Sequence, residues 1–299
     1  MTNIALVIGA SSNLGYQVLK RLHSVYDGKI YFTTEDEAGG YKILENLDKN
    51  NKKLEYIQMD VTYTKSIIKL RHHIQDLNER IDLIVNNTEY VTEKNLSHAQ
   101  LVRRTLSVNF YGNVNFGNLV YPLLNENARV VNVSGAAGLL QTIESEEIRA
   151  RISDPSIDED RLVQIMQDYE EAARKGVEKT EGWGANVQAV SKVALNALTF
   201  LQHRVWSDRG AVINSVNPGN INSRDARKST KAFEEGAKAI LYLALEAPLS
   251  LKGNFVWSNY SPIEWSCDPN SRPGLRGLIT KFQFEKNSRK HQSVLQHFC

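Results

Sequence analysis

Apolar and polar positions change period repeatedly along this chain. Ile4-Ala5-Leu6-Val7-Ile8 is a continuous apolar run, the pattern of a strand buried on both faces. Leu14, Val18, Leu19 and Leu22 then recur three and four apart, the pattern of an amphipathic helix. The alternation continues through Ile30-Tyr31-Phe32, Leu54 to Met59, Ile81 to Val85, Arg129 to Val133, Ala211 to Val216 and Phe255 to Trp257, giving about seven strands. Helical segments lie between them, clearest over Ala189 to Val205 and Ala232 to Leu245. This order predicts an α/β protein: a Rossmann-type doubly wound parallel sheet whose right-handed crossovers cover both faces.

One interval breaks the rhythm. From Leu140 to Gly182 no strand pattern occurs, and a charged stretch carries a helical stripe of Leu162, Ile165, Met166 and Tyr169. The spacing predicts a helical insertion at about 140–182 within a single domain over 1–265. The remaining Ser266 to Cys299 holds six Lys/Arg against Asp268 and Glu285, a tail of charge +4. Leu275, Leu278, Ile279 and Phe282 would share one face of a helix there, as would Val294, Leu295 and Phe298. Such a tail suits a partner groove or an acidic membrane surface, and packing on the body is its plainer use.

Composition narrows the function classes. A chain of 299 residues, 41% hydrophobic and 23% charged, can bury a large core. Its net charge of +2 is too small for a general electrostatic grip on nucleic acid. No apolar run reaches the ~18–20 residues of a membrane span, and Met1-Thr2-Asn3 leads into the first strand without a basic region. A cytoplasmic protein is expected. Its two cysteines, Cys267 and Cys299, form no disulfide framework for the body, which suits a reducing compartment. Adjacent His72 and His73 point away from each other on a helix, and no metal site is expected. Asn132-Val133-Ser134 has glycosylation spacing but falls in a strand.

Gly9-Ala10-Ser11-Ser12-Asn13-Leu14-Gly15 follows the first strand and opens the first helix. Glycines there permit a tight turn and bring a pyrophosphate close to the backbone at a helix N-terminus. Glu35-Asp36 follows the second strand about 20 residues on, where a carboxylate can accept from ribose hydroxyls.

With these stand Asp60-Val61, Asn86-Asn87, Asn109-Phe110-Tyr111-Gly112, Val130 to Ser134, Lys175-Gly176-Val177, Glu181-Gly182-Trp183, Ser191-Lys192, Asn217-Pro218-Gly219 and Glu234 to Ala237. In this order they resemble the short-chain dehydrogenase/reductase family over about residues 3–265, and within it most nearly the monomeric carbonyl reductases. The resemblance implies a nicotinamide dinucleotide held by Gly9, Ser12, Asn13, Leu14, Gly15, Glu35, Asp60, Val61, Asn86, Lys192, Pro218, Gly219 and Ile221. It also implies a monomer whose 140–182 insertion covers the usual subunit interface.

Departures from the family pattern decide the functional expectation. The catalytic tyrosine four residues before the lysine is replaced by Gln188, and the serine that orients the substrate carbonyl by Gly135; Asn109 and Lys192 remain. Carbonyl reduction leaves an alkoxide that must be protonated, and an amide cannot supply that proton at accessible pH. General acid catalysis is typically worth ~10²–10⁴-fold, and an oxyanion donor about 2.7–4 kcal/mol. Ser134, Ser191 and Tyr169 are the replacement hydroxyls within the relevant motifs. Asn13 replaces a family glycine, Ile8 a first-strand threonine, and Thr88-Glu89 an Ala-Gly pair. Ser12 and Glu35 replace the basic residues that bind a 2′-phosphate. NAD(H) is therefore expected over NADP(H), with weakened or lost binding.

Two readings follow. One is a catalytically silent family member that binds a small-molecule ligand or protein partner. The other is an active oxidoreductase with a non-standard proton donor, acting on carbonyls or on imines whose hydride acceptor needs none.

Overall fold

The computed structural model describes residues 3–49, 53–91, 95–221 and 230–266. The 267–299 part of the predicted basic tail, with both cysteines, lies outside the described residues.

Eight strands form one sheet in the order β3-β2-β1-β4-β5-β6-β7-β8. They are β1 (Ile4–Ile8), β2 (Lys29–Thr34), β3 (Leu54–Gln58), β4 (Ile81–Asn86), β5 (Leu124–Val133), β6 (Val212–Val216), β7 (Phe255–Val256) and β8 (Pro262–Ile263). Seven pair in parallel, as the continuous apolar runs require, and β8 returns antiparallel on β7. The eighth strand adds to the seven that the apolar pattern predicts, because two residues carry no readable period. The winding reverses between β1 and β4, and a crevice at the carboxyl ends of those strands is the usual ligand position in such a sheet.

Helices cover both faces. On one, α1 (Asn13–Val25) packs against α9 (Thr230–Leu241), burying Leu14, Val18, Leu19 and Leu22 against Phe233, Ala237 and Ile240. The same face carries α2 (Glu37–Leu47). On the other lie α3 (Thr64–Asp76), α4 (His98–Leu106), α5 (Gly112–Val120) and α8 (Val187–Trp206). The last is longer than its apolar period indicated, because Asn186 caps it by accepting from the Ala189 N–H.

The 140–182 interval contains α6 (Glu146–Ile152) and α7 (Glu159–Lys175), the latter ending at Gly176 in left-handed conformation, φ +73°. Leu162, Ile165, Met166 and Tyr169 are all buried where α7 crosses α4 and α8. Arg204 of α8 ties the segment down by donating to the carbonyls of Pro155 and Ile157.

Between α4 and α5 the helix widens into a π-turn over Ser107–Tyr111. Such bulges re-aim side chains, and this one carries Asn109.

Candidate functional site

Two groups of residues meet at the crevice. The first is the glycine loop after β1. Gly9 has φ +72°, and a Cβ there would lie 2.5 Å from the Asn87 carbonyl oxygen; a Cβ on Gly15 would lie 2.2 Å from the Gly9 carbonyl oxygen. Both positions therefore exclude side chains for steric reasons. Ser12 caps α1 by accepting from the Gly15 N–H at 3.0 Å. Asn87 at the end of β4 locks the loop, its Nδ2 donating to Gly9 O at 3.0 Å and Ser12 Oγ at 2.8 Å. Ser11, Ser12 and Asn13 are exposed at the open helix terminus, while Leu14 and Gly15 are buried beneath.

Glu35 stands just after β2, and Asp60-Val61 just after β3. Burial, with the Asp60 charge, pushes the Glu35 carboxyl above its ordinary value. Asp60 accepts from the Thr62 N–H and hydroxyl, and Val61 packs against Gly112. Pro218-Gly219 follows β6 with Gly219 at φ +92°, and Ile221 with Pro218 O closes over Gly236 of α9 and Leu14 of α1. Asn86 behaves differently from the expectation. Its side chain is buried and donates to Asn113 and Asn132 Oδ1, so a ligand in the crevice would meet its backbone instead. The Asn132 of the glycosylation-like triplet is likewise buried, donating to Thr199 at 2.9 Å.

The second group surrounds Gln188 and Gly135. Asn109 Nδ2 donates to Gln188 Oε1 at 3.1 Å and to Ser191 Oγ at 2.9 Å, and its Oδ1 accepts from the Tyr90 N–H at 2.8 Å. Gln188 Nε2 donates to the Tyr90 carbonyl at 3.3 Å. Residues from β4's loop, the π-turn and α8 thus close a ring of amides. Lys192 is 5% exposed and donates to Val133 O at 3.1 Å, with no ion-pair partner among the described residues. A buried ammonium has three protons and favours further acceptors, such as ribose hydroxyls.

Gly135 has extended backbone, φ 176° and ψ 168°, and open space where a Cβ would point. The alternative hydroxyls are placed elsewhere or engaged. Ser191 Oγ donates to Gln188 O at 2.9 Å while accepting from Asn109. Ser134 Oγ is buried, facing Gly138, with no partner among the described residues. Tyr169 is buried against Trp183 at a ring distance of 5.0 Å, and burial with the Glu178 charge pushes its hydroxyl pKa upward. That is the wrong direction for a proton donor at neutral pH.

Tyr90 and Asn87 add to the site beyond the residues that the sequence motifs single out one by one. Tyr90 acts through its backbone, which leaves no side-chain signature; Asn87 was visible only as part of a motif. Trp265 Nε1 also donates to Gly138 O at 2.6 Å, across 127 residues of sequence.

The family described as short chain dehydrogenase matches residues 3–146. The chain is 30% identical over 254 residues to carbonyl reductase (NADPH) 1 of Oryctolagus cuniculus, covering 82% of this chain and 91% of that protein. It is 28% identical over 286 residues to the Sus scrofa protein of the same name, covering 91% and 97%. In fold it is similar to salutaridine reductase from Papaver somniferum, with a TM-score of 0.73 at 22% identity over 85% of this chain and 99% of that one. The chain belongs to the short chain dehydrogenase family and is most like its carbonyl reductases.

Proposed function

We propose that this protein retains the dinucleotide crevice of its family, has lost ordinary carbonyl reduction, and serves as a ligand- or partner-binding protein. The observation that carries the reading is the ring formed by Asn109, Gln188 and Tyr90. An amide occupies the position from which the family's tyrosine protonates substrate, and it is consumed in holding α8 to the loop after β4.

The residues fit a nicotinamide dinucleotide. Gly9 and Gly15 leave the backbone cradle clear, the α1 terminus favours a diphosphate, and Lys192 has unused protons for a ribose. When bound, that group would supply a hydride. Lys192 would orient it, and Glu35 would accept from the adenosine ribose. We further infer a preference for NADH, although the carbonyl reductases above are named for NADPH. A carboxylate at Glu35, with Asp60 beside it, opposes the extra negative charge of a 2′-phosphate. Packing of α7 over α4 and α8 supports a monomer.

Calorimetric titration with NADH and NADPH, followed by turnover assays on carbonyls and imines, tests this. Nucleotide binding without carbonyl turnover is the expected result. Carbonyl turnover by the unaltered chain at family-like rates overturns the loss of activity, and tighter NADPH binding overturns the preference.

A further inference from the structure

The residues that lead into the basic tail are fixed beside the helical insertion. Leu140 N donates to Trp265 O and Gln141 Nε2 to Ser266 O, both at 3.2 Å, and the Trp265 indole is held on Gly138 O at 2.6 Å. The tail therefore departs beside Gln141. Ser145, the N-cap of α6, lies four residues further along the chain, at most about 15 Å away.

A groove of about 510 Å³ reaches from Ser145 along α6 and α7. Its charged lining is Glu147 and Arg151 of α6, Asp168, Glu171 and Lys175 of α7, and Glu181.

This groove stays acidic after its ion pairs are counted. Asp168 is matched by Arg151 at 2.6 Å, and Glu171 is shared by Arg174 at 2.7 Å and Lys175 at 3.2 Å. Glu147 and Glu181 have no ion pair among the described residues. Those two carboxylates outweigh the one surplus cation at Glu171, and Glu146, exposed in the same turn of α6, adds to them. The insertion as a whole repeats the imbalance, with twelve acidic residues against six basic over 140–182. A chain of net charge +2 thus sets its acidic surplus beside the departure point of a +4 segment.

Reach agrees with charge. Arg272 follows Ser266 by six residues, a span of up to about 20 Å, and Arg276 by ten. Both can arrive at the groove from Gln141.

We propose that the tail docks on its own body, with Arg272 and Arg276 lying against Glu147 and Glu181 in the groove between α6 and α7. Exposed ion pairs are individually weak, so a free basic peptide would hold poorly there. The short tether compensates, because it presents the arginines at a local concentration on the order of millimolar. An acidic surface elsewhere then reaches the tail only in competition with the groove.

The test uses the full chain with Cys267→Ser, Cys299→Ser and Gly277→Cys, carrying a nitroxide at position 277. At low salt the amides of Glu147, Arg151 and Glu181 should broaden. At about 1 M salt, where the screening length falls to about 3 Å, the broadening should be lost. Glu147→Lys with Glu181→Lys should lower the docked-to-free ratio about fivefold or more, and Arg272→Glu with Arg276→Glu, which leaves the body unaltered, should do the same. All four substitutions together should restore docking, since the charges are then exchanged. The proposal is overturned by undisturbed groove amides, by broadening indifferent to either charge reversal, by a four-fold variant that stays undocked, or by broadening centred on Gly9 and Gln188 in the crevice. Broadening in isotope-labelled copies without nitroxide, mixed with unlabelled nitroxide-bearing ones, overturns it in favour of a second copy.

Discussion

Asn109 and Gln188 are joined side chain to side chain, Nδ2 to Oε1 at 3.1 Å, across 79 residues of sequence. The bond ties α8 to the π-turn at the position where the family resemblance implies a catalytic tyrosine. Gln188→Ala should therefore cost stability, by about 1–2 kcal/mol, because it leaves a buried Asn109 amide short of an acceptor. Urea denaturation measures this, and an unchanged midpoint would show that the bond does not support the fold.

Restoring both replaced groups is a sharper test. Gly135→Ser meets no steric obstacle, since its φ of 176° suits any residue and nothing lies within 4 Å of the added Cβ. Combined with Gln188→Tyr, it should raise NADH-dependent carbonyl reduction by ~10² or more over the parent chain. Followed at 340 nm with nucleotide binding measured alongside, no gain in a folded variant that binds nucleotide would show the remaining crevice to be unsuited to the reaction.

The glycine loop gives a steric prediction. Gly15→Ala forces a Cβ to 2.2 Å from the Gly9 carbonyl oxygen, backbone that cannot swing aside. A loss of about 2–4 kcal/mol in unfolding free energy and loss of nucleotide binding are expected. Wild-type stability would show that the loop and α1 relax apart.

Glu178 is nearly buried and meets His98 Nε2 at 3.2 Å, its second oxygen having no hydrogen bond among the described residues. His98→Ala should destabilise the chain by about 1–3 kcal/mol, since it removes the partner of a desolvated carboxylate. Glu178→Gln placed in the same background should recover part of that loss. Thermal unfolding of the three variants decides, and a silent His98→Ala shows the contact to be incidental.

The Glu35 carboxyl has its pKa raised by burial and then by Asp60. A raised acid favours the protonated folded state, so its contribution is greatest below the ordinary glutamate range and is lost as pH rises through the folded value. Glu35→Gln should accordingly gain stability relative to the parent at neutral pH and show no gain in acid. Denaturation midpoints at both pH values check the sign, and an advantage confined to acid would contradict it.

Much of this fold follows from local pattern. Strands buried on both faces, such as β1, need unbroken apolar runs, and α7 needs its stripe of Leu162, Ile165, Met166 and Tyr169. The two-residue β8 has no such period, since only its pairing with β7 defines it. The glycine loop was legible because Gly9 and Gly15 are required by local sterics. The partners of Gln188 were not, because they come from residues 90 and 109 and one acts through its backbone.

The sequence by itself determined the alternation of strands and helices, the glycine turn, and the absence of tyrosine and serine at positions 188 and 135, because these depend on residue identity and short-range spacing. Only the tertiary structure decided that the Gln188 amide joins Asn109 and Tyr90 and that Asn86 turns into a buried amide network. Both depend on which groups from distant segments satisfy one another once water is excluded.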